Sequence, residues 1–181
     1  MRFNVLIRLT FIRLTYMPKA VWLSLMMIGW VSGATAQTLP ALDNENGFFG
    51  IALGQPLPTD GSFEEQGTFQ QKKRLVRPDQ ELSMGEIRFV YVWYLVYENQ
   101  LHSIRIRTAG EASSEQFLEL LQLLYGNGEQ DGFAPRYAWQ GKRVKLFYDR
   151  NIISGNAEIV FTSLPVDAEF RKTYIQIGDG Y

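Results

Sequence analysis

The sequence predicts an α+β fold, an antiparallel sheet covered by one main amphipathic helix, with a short second helix near the carboxyl end. Three observations carry that expectation. The stretch RFVYVWYLVYENQLHSIRIRT, Arg88 to Thr108, is two strand-like runs broken by the polar turn formers Glu98-Asn99-Gln100. Residues 114–125 repeat apolar side chains at helical spacing. The remaining apolar runs are short and joined by Gly- and Asn-rich connections, as in antiparallel sheets.

From the amino end of the folded part, QTLPALDNENG (37–47) has no periodicity and reads as a flexible lead-in, so the domain is expected over 48–181. FFGIAL, followed by Gly54 and Pro56, fits one strand ending in a turn. Between Thr59 and Met84 the pattern is weak: GTFQQKKRLV suits a strand, and RPDQ and SMGE suit turns. In the long strand, Phe89, Tyr91, Trp93, Leu95 and Tyr97 share one face, with Val90, Val92, Tyr94 and Val96 on the other. A strand apolar on both faces is expected to be covered on both, which makes it central. The next strand alternates Ile104 and Ile106 against Ser103, Arg105 and Arg107 and reads as half-exposed.

The helix is expected to open with a capping box of Ser113 and Gln116, to bury Phe117, Leu120, Leu121 and Leu124, and to stop at Gly126. Beyond it, Gln140-Gly141 turns between two strands, and Val144, Leu146 and Tyr148 face one way. Ala157, Ile159 and Phe161 then face away from Glu158 and Val160. Pro165 opens a short helix to about Lys172, and the tail TYIQIGDGY is a last strand or a frayed end.

Residues 1–36 carry Arg2, Arg8, Arg13 and Lys19 without an acidic residue, then the apolar run Ala20–Val31, then SGATAQ. This is the pattern of a secretory signal peptide cleaved before Gln37, whether translation starts at Met1 or Met17. The apolar run of 12 residues covers only about 18 Å as a helix, short of the roughly 30 Å of a bilayer core. The expected location is therefore periplasmic or extracellular. Gln37 stands where a bacterial lipoprotein needs cysteine, and the chain has no cysteine for disulfides, thiol chemistry or thiolate metal sites.

Four of the 18 basic residues precede Gln37, leaving 14 against 19 acidic ones, which argues against nucleic acid as a partner. The basic run Lys72-Lys73-Arg74, with Arg77 just beyond, reads as a solvated strand face or loop in preference to an anion-binding patch. The partner is expected to be an envelope or extracellular ligand or protein, with no stable membrane span after signal cleavage. The aromatic run is too short for a transmembrane helix, and its two apolar faces do not suit a barrel strand. Two readings stay open for its aromatics: core, or a ligand-binding platform of Tyr91, Trp93 and Tyr97 with Trp139 nearby.

No catalytic constellation stands out. His102 is the one histidine, without a nucleophile elbow or a second histidine for zinc, and it reads as an ordinary strand residue. Phosphate-binding glycine motifs are absent. DNENG and GNGEQDG do not match calcium-loop spacing, so no metal and no cofactor is expected. Paired carboxylates able to hydrolyse glycosidic bonds are unavoidable among 19 acids and carry no signal by themselves.

FFGIALGQPL, MGEIRFVYVWYLVYENQLHSIRI, FLELLQLLYGNGEQ and YAWQGKRVKLFYD follow one another in an order that resembles families of small secreted proteins of outer-membrane bacteria whose biochemical role is uncharacterised. The resemblance implies a periplasmic α+β domain and transfers no catalytic residue. Three functions remain in view: a non-enzymatic binding domain, a cell-wall glycan hydrolase, or an inhibitor of a foreign lysozyme or protease presenting loops 126–135 and 149–156.

Overall fold

A computed structural model of the protein describes residues 39–178, so the expected signal peptide and its cleavage point lie outside the described residues. Along the chain run α1 (Leu39–Glu45), β1 (Gly47–Phe48), β2 (Ile51–Ala52), β3 (Glu64–Phe69), β4 (Lys72–Val76), β5 (Ser83–Met84), β6 (Ile87–Tyr97) and β7 (Gln100–Thr108). There follow α2 (Gly110–Tyr125), β8 (Glu129–Gln130), β9 (Arg136–Gln140), β10 (Val144–Arg150), β11 (Ala157–Ser163) and α3 (Leu164–Gly178). The fold is α+β. Its main sheet is antiparallel, in the order β3-β4-β6-β7-β11-β10-β9-β8, with β5 alongside β6.

Tight turns make the hairpins. Gln70-Gln71 and Glu98-Asn99 are two-residue connections with both φ angles positive (48° and 62°, 45° and 64°), the geometry whose twist matches paired strands. FFGIAL is not one strand. Phe49 (φ 53°) and Gly50 (φ 73°) reverse the chain inside it, so β1 and β2 pair with each other and both phenylalanines turn toward the core.

The β6–β7 pairing contains two bulges. The partners step from Phe89↔Thr108 to Tyr91↔Arg107, leaving Val90 as an extra residue, and from Leu95↔Ser103 to Val96↔Leu101, leaving His102 as another. The first bulge corrects the strict alternation read from sequence: Phe89 joins Val92, Tyr94 and Val96 in the buried set, while Val90 is exposed. β7 is an interior strand between β6 and β11, and it is half-exposed as expected, with Ile104 and Ile106 buried on one face and Arg105 and Arg107 partly exposed on the other. Its arginines are accommodated because one face of the sheet is left largely open.

The covered face holds the core. Ile104, Ile106, Val144, Leu146, Tyr148, Ile159 and Phe161 are fully buried there. Phe117 and Leu121 of α2 close over it, Phe117 meeting Phe89 and Phe48 at 5.5 and 5.7 Å between ring centroids, and Phe48 lies 5.2 Å from Phe161. Buried phenols find acceptors: Tyr148 donates to the Ser114 carbonyl at 3.0 Å and Tyr94 to Gln80 Oε1 at 2.8 Å.

Helix α2 begins at Gly110, earlier than the sequence reading placed it, and Ser113 makes no capping box. Its hydroxyl instead accepts the Arg88 amide at 3.1 Å. The end of the helix is served from afar, by Asn156 Oδ1, which accepts the Gly110 amide at 2.7 Å. Ser114, Phe117, Leu121 and Tyr125 form the buried stripe, whereas Leu124 is 43 % exposed, contrary to the expectation. Gly126 ends the helix with φ 79°, as its sequence position suggested.

Residues 39–45 are helical rather than a flexible lead-in. Leu42 is buried, and Asp43 binds the β9–β10 turn: its carboxylate accepts the amides of Lys142 (2.7 Å), Arg143 (2.8 Å) and Val144 (3.2 Å). Burial alone would raise the Asp43 carboxyl, but these three donors outweigh it and hold the group below its ordinary range. A Cβ at Gly141 would overlap the Asp43 carboxylate, so a larger residue there would have to displace it from the turn. Helix α3 also exceeds its expected end near Lys172, running to Gly178 in place of a strand or frayed tail.

Replacing Leu121 with Ala is expected to cost about 2–5 kcal/mol, against about 1 kcal/mol or less for Leu124→Ala, as measured by urea unfolding. Asp43→Ala, which strips a carboxylate from three backbone donors, is expected to lower stability by about 1.5–3 kcal/mol in the same assay, with Asp43→Asn intermediate.

Candidate ligand-binding site on the open sheet face

Strand register orders the side chains of the open face into rows. Tyr91, Arg107, Glu158, Asp149 and Arg136 form one, Trp93, Arg105, Val160, Phe147 and Ala138 the next, and Arg74, Leu95, Ser103, Thr162 and Lys145 a third. The first row largely neutralises itself. Tyr91 donates to Glu158 at 2.8 Å, Arg105 Nε reaches the same carboxylate at 3.0 Å, and Arg136 Nε meets Asp149 at 3.0 Å. Burial and the Glu158 carboxylate push the Tyr91 phenol up to about 12, so it remains a donor at neutral pH.

Three of the four aromatic residues singled out from sequence lie on this face, but not as a flat platform. Tyr91 and Trp93 stack on each other, 3.9 Å between centroids and 9° apart, and the Arg74 guanidinium stands 4.8 Å from the Trp93 centroid. Arg74 lies opposite Leu95, two residues beyond Trp93, and Tyr91 lies two before it, so the indole is held between cation and phenol. Trp93 is half-buried under these contacts. Tyr97 sits further along the strand against Phe170 of α3, at 5.2 Å. Trp139 belongs elsewhere: it is buried on the covered face, donating to the Gly126 carbonyl at 2.8 Å, and forms no surface with the other three.

Where α3 crosses the open face, a cavity of about 420 Å³ lies between helix and sheet. Its walls include Leu95, Phe147, Val160, Leu164 and Phe170, interrupted by the polar groups of Lys72, Lys145, His102 and Asp167. Lys72 is 4 % exposed. Its ammonium lies 3.2 Å from the Phe170 ring centroid, and among the described residues no carboxylate comes within 4.0 Å of it. Burial lowers its affinity for the proton.

The second bulge delivers His102 to this region. Its Nε2 is 3.2 Å from Asp167 Oδ1, and its Nδ1 is buried without a hydrogen-bond partner. Burial first, and the Lys72 charge second, push the imidazole down to about 4, against the opposing pull of Asp167. Asp167 is itself desolvated, yet hydrogen bonds from Arg171 (2.7 Å) and His102 hold it ionised. The contact is therefore a hydrogen bond from a neutral ring to a carboxylate, with the proton on Nε2 and a bare lone pair on Nδ1.

Sequence reading took Lys72 for part of a solvated face and His102 for an ordinary strand residue; the structure corrects the first, since Lys72 is buried beneath α3, and places His102 at a bulge facing the same helix. The one available signal was strand parity, which puts Lys72 and Arg74 on the same side of β4; the bulge that turns His102 has no sequence mark. A second cavity, about 480 Å³, opens at the far end of the face between residues 133–136 and 149–152. Phe133, Ile152 and Ile153 stand almost wholly in solvent beside it.

Among the described residues no cluster of three or more potential metal-ligating His, Cys, Asp or Glu side chains occurs, and no helix is long and apolar enough to cross a membrane. No protein-family model matches the chain, and no curated sequence or solved structure shows significant similarity to it.

The depressed His102 value fixes a pH dependence. The unfolded chain binds this proton near pH 6.5, the folded one only near pH 4, so the stabilisation is complete above the first value and is lost as pH falls between them. From pH 7 to pH 5.5 the loss from this residue is expected to be about 1 kcal/mol. Urea midpoints of wild type and His102→Gln at both pH values check it: the variant should lose correspondingly less.

Proposed function

We propose that the chain is a secreted or periplasmic binding domain of the bacterial envelope, not an enzyme, and that its ligand enters the cavity between α3 and the open sheet face. The observation that carries this reading is the buried Lys72, a desolvated cation on the wall of a cavity of ligand size, which feels the charge of Asp167 across that cavity but has no carboxylate within 4.0 Å among the described residues. A structural lysine in that position is costly, whereas a binding group has reason to be there. The amino-terminal pattern of Arg2 to Gln37 supports the location.

A second reading has its own support. The loops 126–135 and 149–156 carry the exposed Phe133, Ile152 and Ile153, which suit insertion into another protein, as an inhibitor of a foreign lysozyme or protease would require.

The test is to secrete the full chain from a bacterial host, read the mature amino terminus, and titrate the protein with solute and lipid extracts of the same compartment while following backbone amide NMR shifts. The expected result is a chain beginning at Gln37 and shifts grouped around Lys72, Leu95, Ser103, Thr162 and Phe170. Silence there, with lysozyme or protease inhibition lost on Phe133→Ser, would transfer the assignment to the loops. Peptidoglycan turnover abolished by one carboxylate-to-amide change would make the protein a hydrolase.

A further inference from the structure

The cavity also indicates what it holds. Four cationic side chains line it, and they are not equivalent. Arg105 is engaged with Glu158 and Arg171 with Asp167. Lys72 and Lys145 have no carboxylate within 4.0 Å among the described residues. The two guanidinium forks that would clamp a phosphate in bidentate fashion are thus committed, and the free charges are point-like ammonium groups. Asp167 on the same wall opposes a doubly charged head. A single negative charge satisfies Lys72 and Lys145 without that penalty.

The rest of the lining is apolar: Leu95, Phe147, Val160, Leu164 and Phe170. The volume, about 420 Å³, lies in the lower part of the roughly 300–1,000 Å³ typical of small-molecule sites. Resting on the binding reading above, we infer that the ligand is a monocarboxylic acid with an apolar body, its carboxylate on Lys72 and Lys145 and its body against Phe147, Leu164 and Phe170. Helix α3 is the roof, held to the sheet by the His102–Asp167 hydrogen bond and by Phe170 over Lys72. Phe170 gives the Lys72 ammonium a π-face, Asp167 acts on it only from beyond 4.0 Å, and the ligand carboxylate supplies the close counter-ion.

This arrangement sets stability against binding. Removing the Lys72 charge while keeping its length takes away an unpaired buried cation and the group that holds the ligand in one step. The experiment uses the full chain and two probes of equal chain length at millimolar concentration, decanoate and decyltrimethylammonium, read by melting temperature and by amide NMR shifts. Decanoate is expected to raise the melting temperature and shift residues around the cavity, and the cation to do neither. Lys72→Met should melt no lower than wild type and bind decanoate at least tenfold more weakly. Lys145→Gln, an exposed position whose change leaves the fold intact, should weaken it severalfold.

The inference is overturned if the two probes bind alike, if decanoate fails to bind, or if decanoate affinity survives both substitutions. Cavity residues that respond to envelope extract but not to decanoate would refute the carboxylate class and leave the binding reading standing. No response to either would remove both.

Discussion

The register of the β6–β7 hairpin, interrupted twice, governs both faces of the sheet. An unbroken antiparallel pair would keep Phe89 in line with Tyr91 and Trp93, with Val90 beside Val92 in the core. The extra residue at Val90 reverses that assignment at one end of β6, so that Phe89 meets Phe117 and Phe49 while Tyr91 and Trp93 remain on the open side. The extra residue at His102 acts at the other end. It leaves Leu101 in the core and turns the imidazole toward Asp167 and Phe170 of α3. Core closure and the seating of α3 both follow from where two residues are inserted into the ladder.

The two faces are stabilised by different physics. On the covered side, aromatic and aliphatic burial dominates, and the polar groups caught there are satisfied over long sequence distances. Thr108 and Ser114 share a hydrogen bond of 2.6 Å, Ser114 also reaches the Gly155 carbonyl, and the Ala157 amide reaches Thr108. Asn156 caps α2 from the β10–β11 loop, and Asp43 closes the β9–β10 turn from the opposite end of the described chain. On the open side the ion pairs are half-exposed, each worth only about 0–1 kcal/mol, and their role is to keep an uncovered sheet hydrated and to discourage association.

Lys72 departs from that economy. Arg105 and Arg136 on the open face sit beside carboxylates, whereas Lys72 is buried against the Phe170 ring with no carboxylate within 4.0 Å among the described residues. The neighbouring imidazole is held neutral by burial first and by the Lys72 charge second, and its Nδ1 has no hydrogen-bond partner. Two unmet electrostatic demands along one cavity, in a fold whose other buried hydroxyls are so well matched, mark the place where the chain departs from best stability.

Local pattern determined the α+β class, the approximate spans of β6, β7, β10 and β11, the inward set Val144, Leu146, Tyr148, Ala157, Ile159 and Phe161, and the glycine stop of α2 at Gly126. These are legible because a period of 2 or 3.6 residues is a property of neighbours in the chain. Tertiary structure decided the rest. Helix α1 forms where Asp43 finds a turn some hundred residues away, α2 begins before Ser113 because Asn156 supplies its cap, and its buried stripe runs through Tyr125 rather than Leu124 because that is the side facing the sheet. The candidate site was the least legible part. Trp93 and Trp139 look alike in sequence yet lie on opposite faces, and the significance of Lys72 and His102 depends on a bulge and on a helix laid across the sheet. A chain pattern specifies which side chains share a face. Which face is covered, and by what, is decided only when distant strands and helices meet.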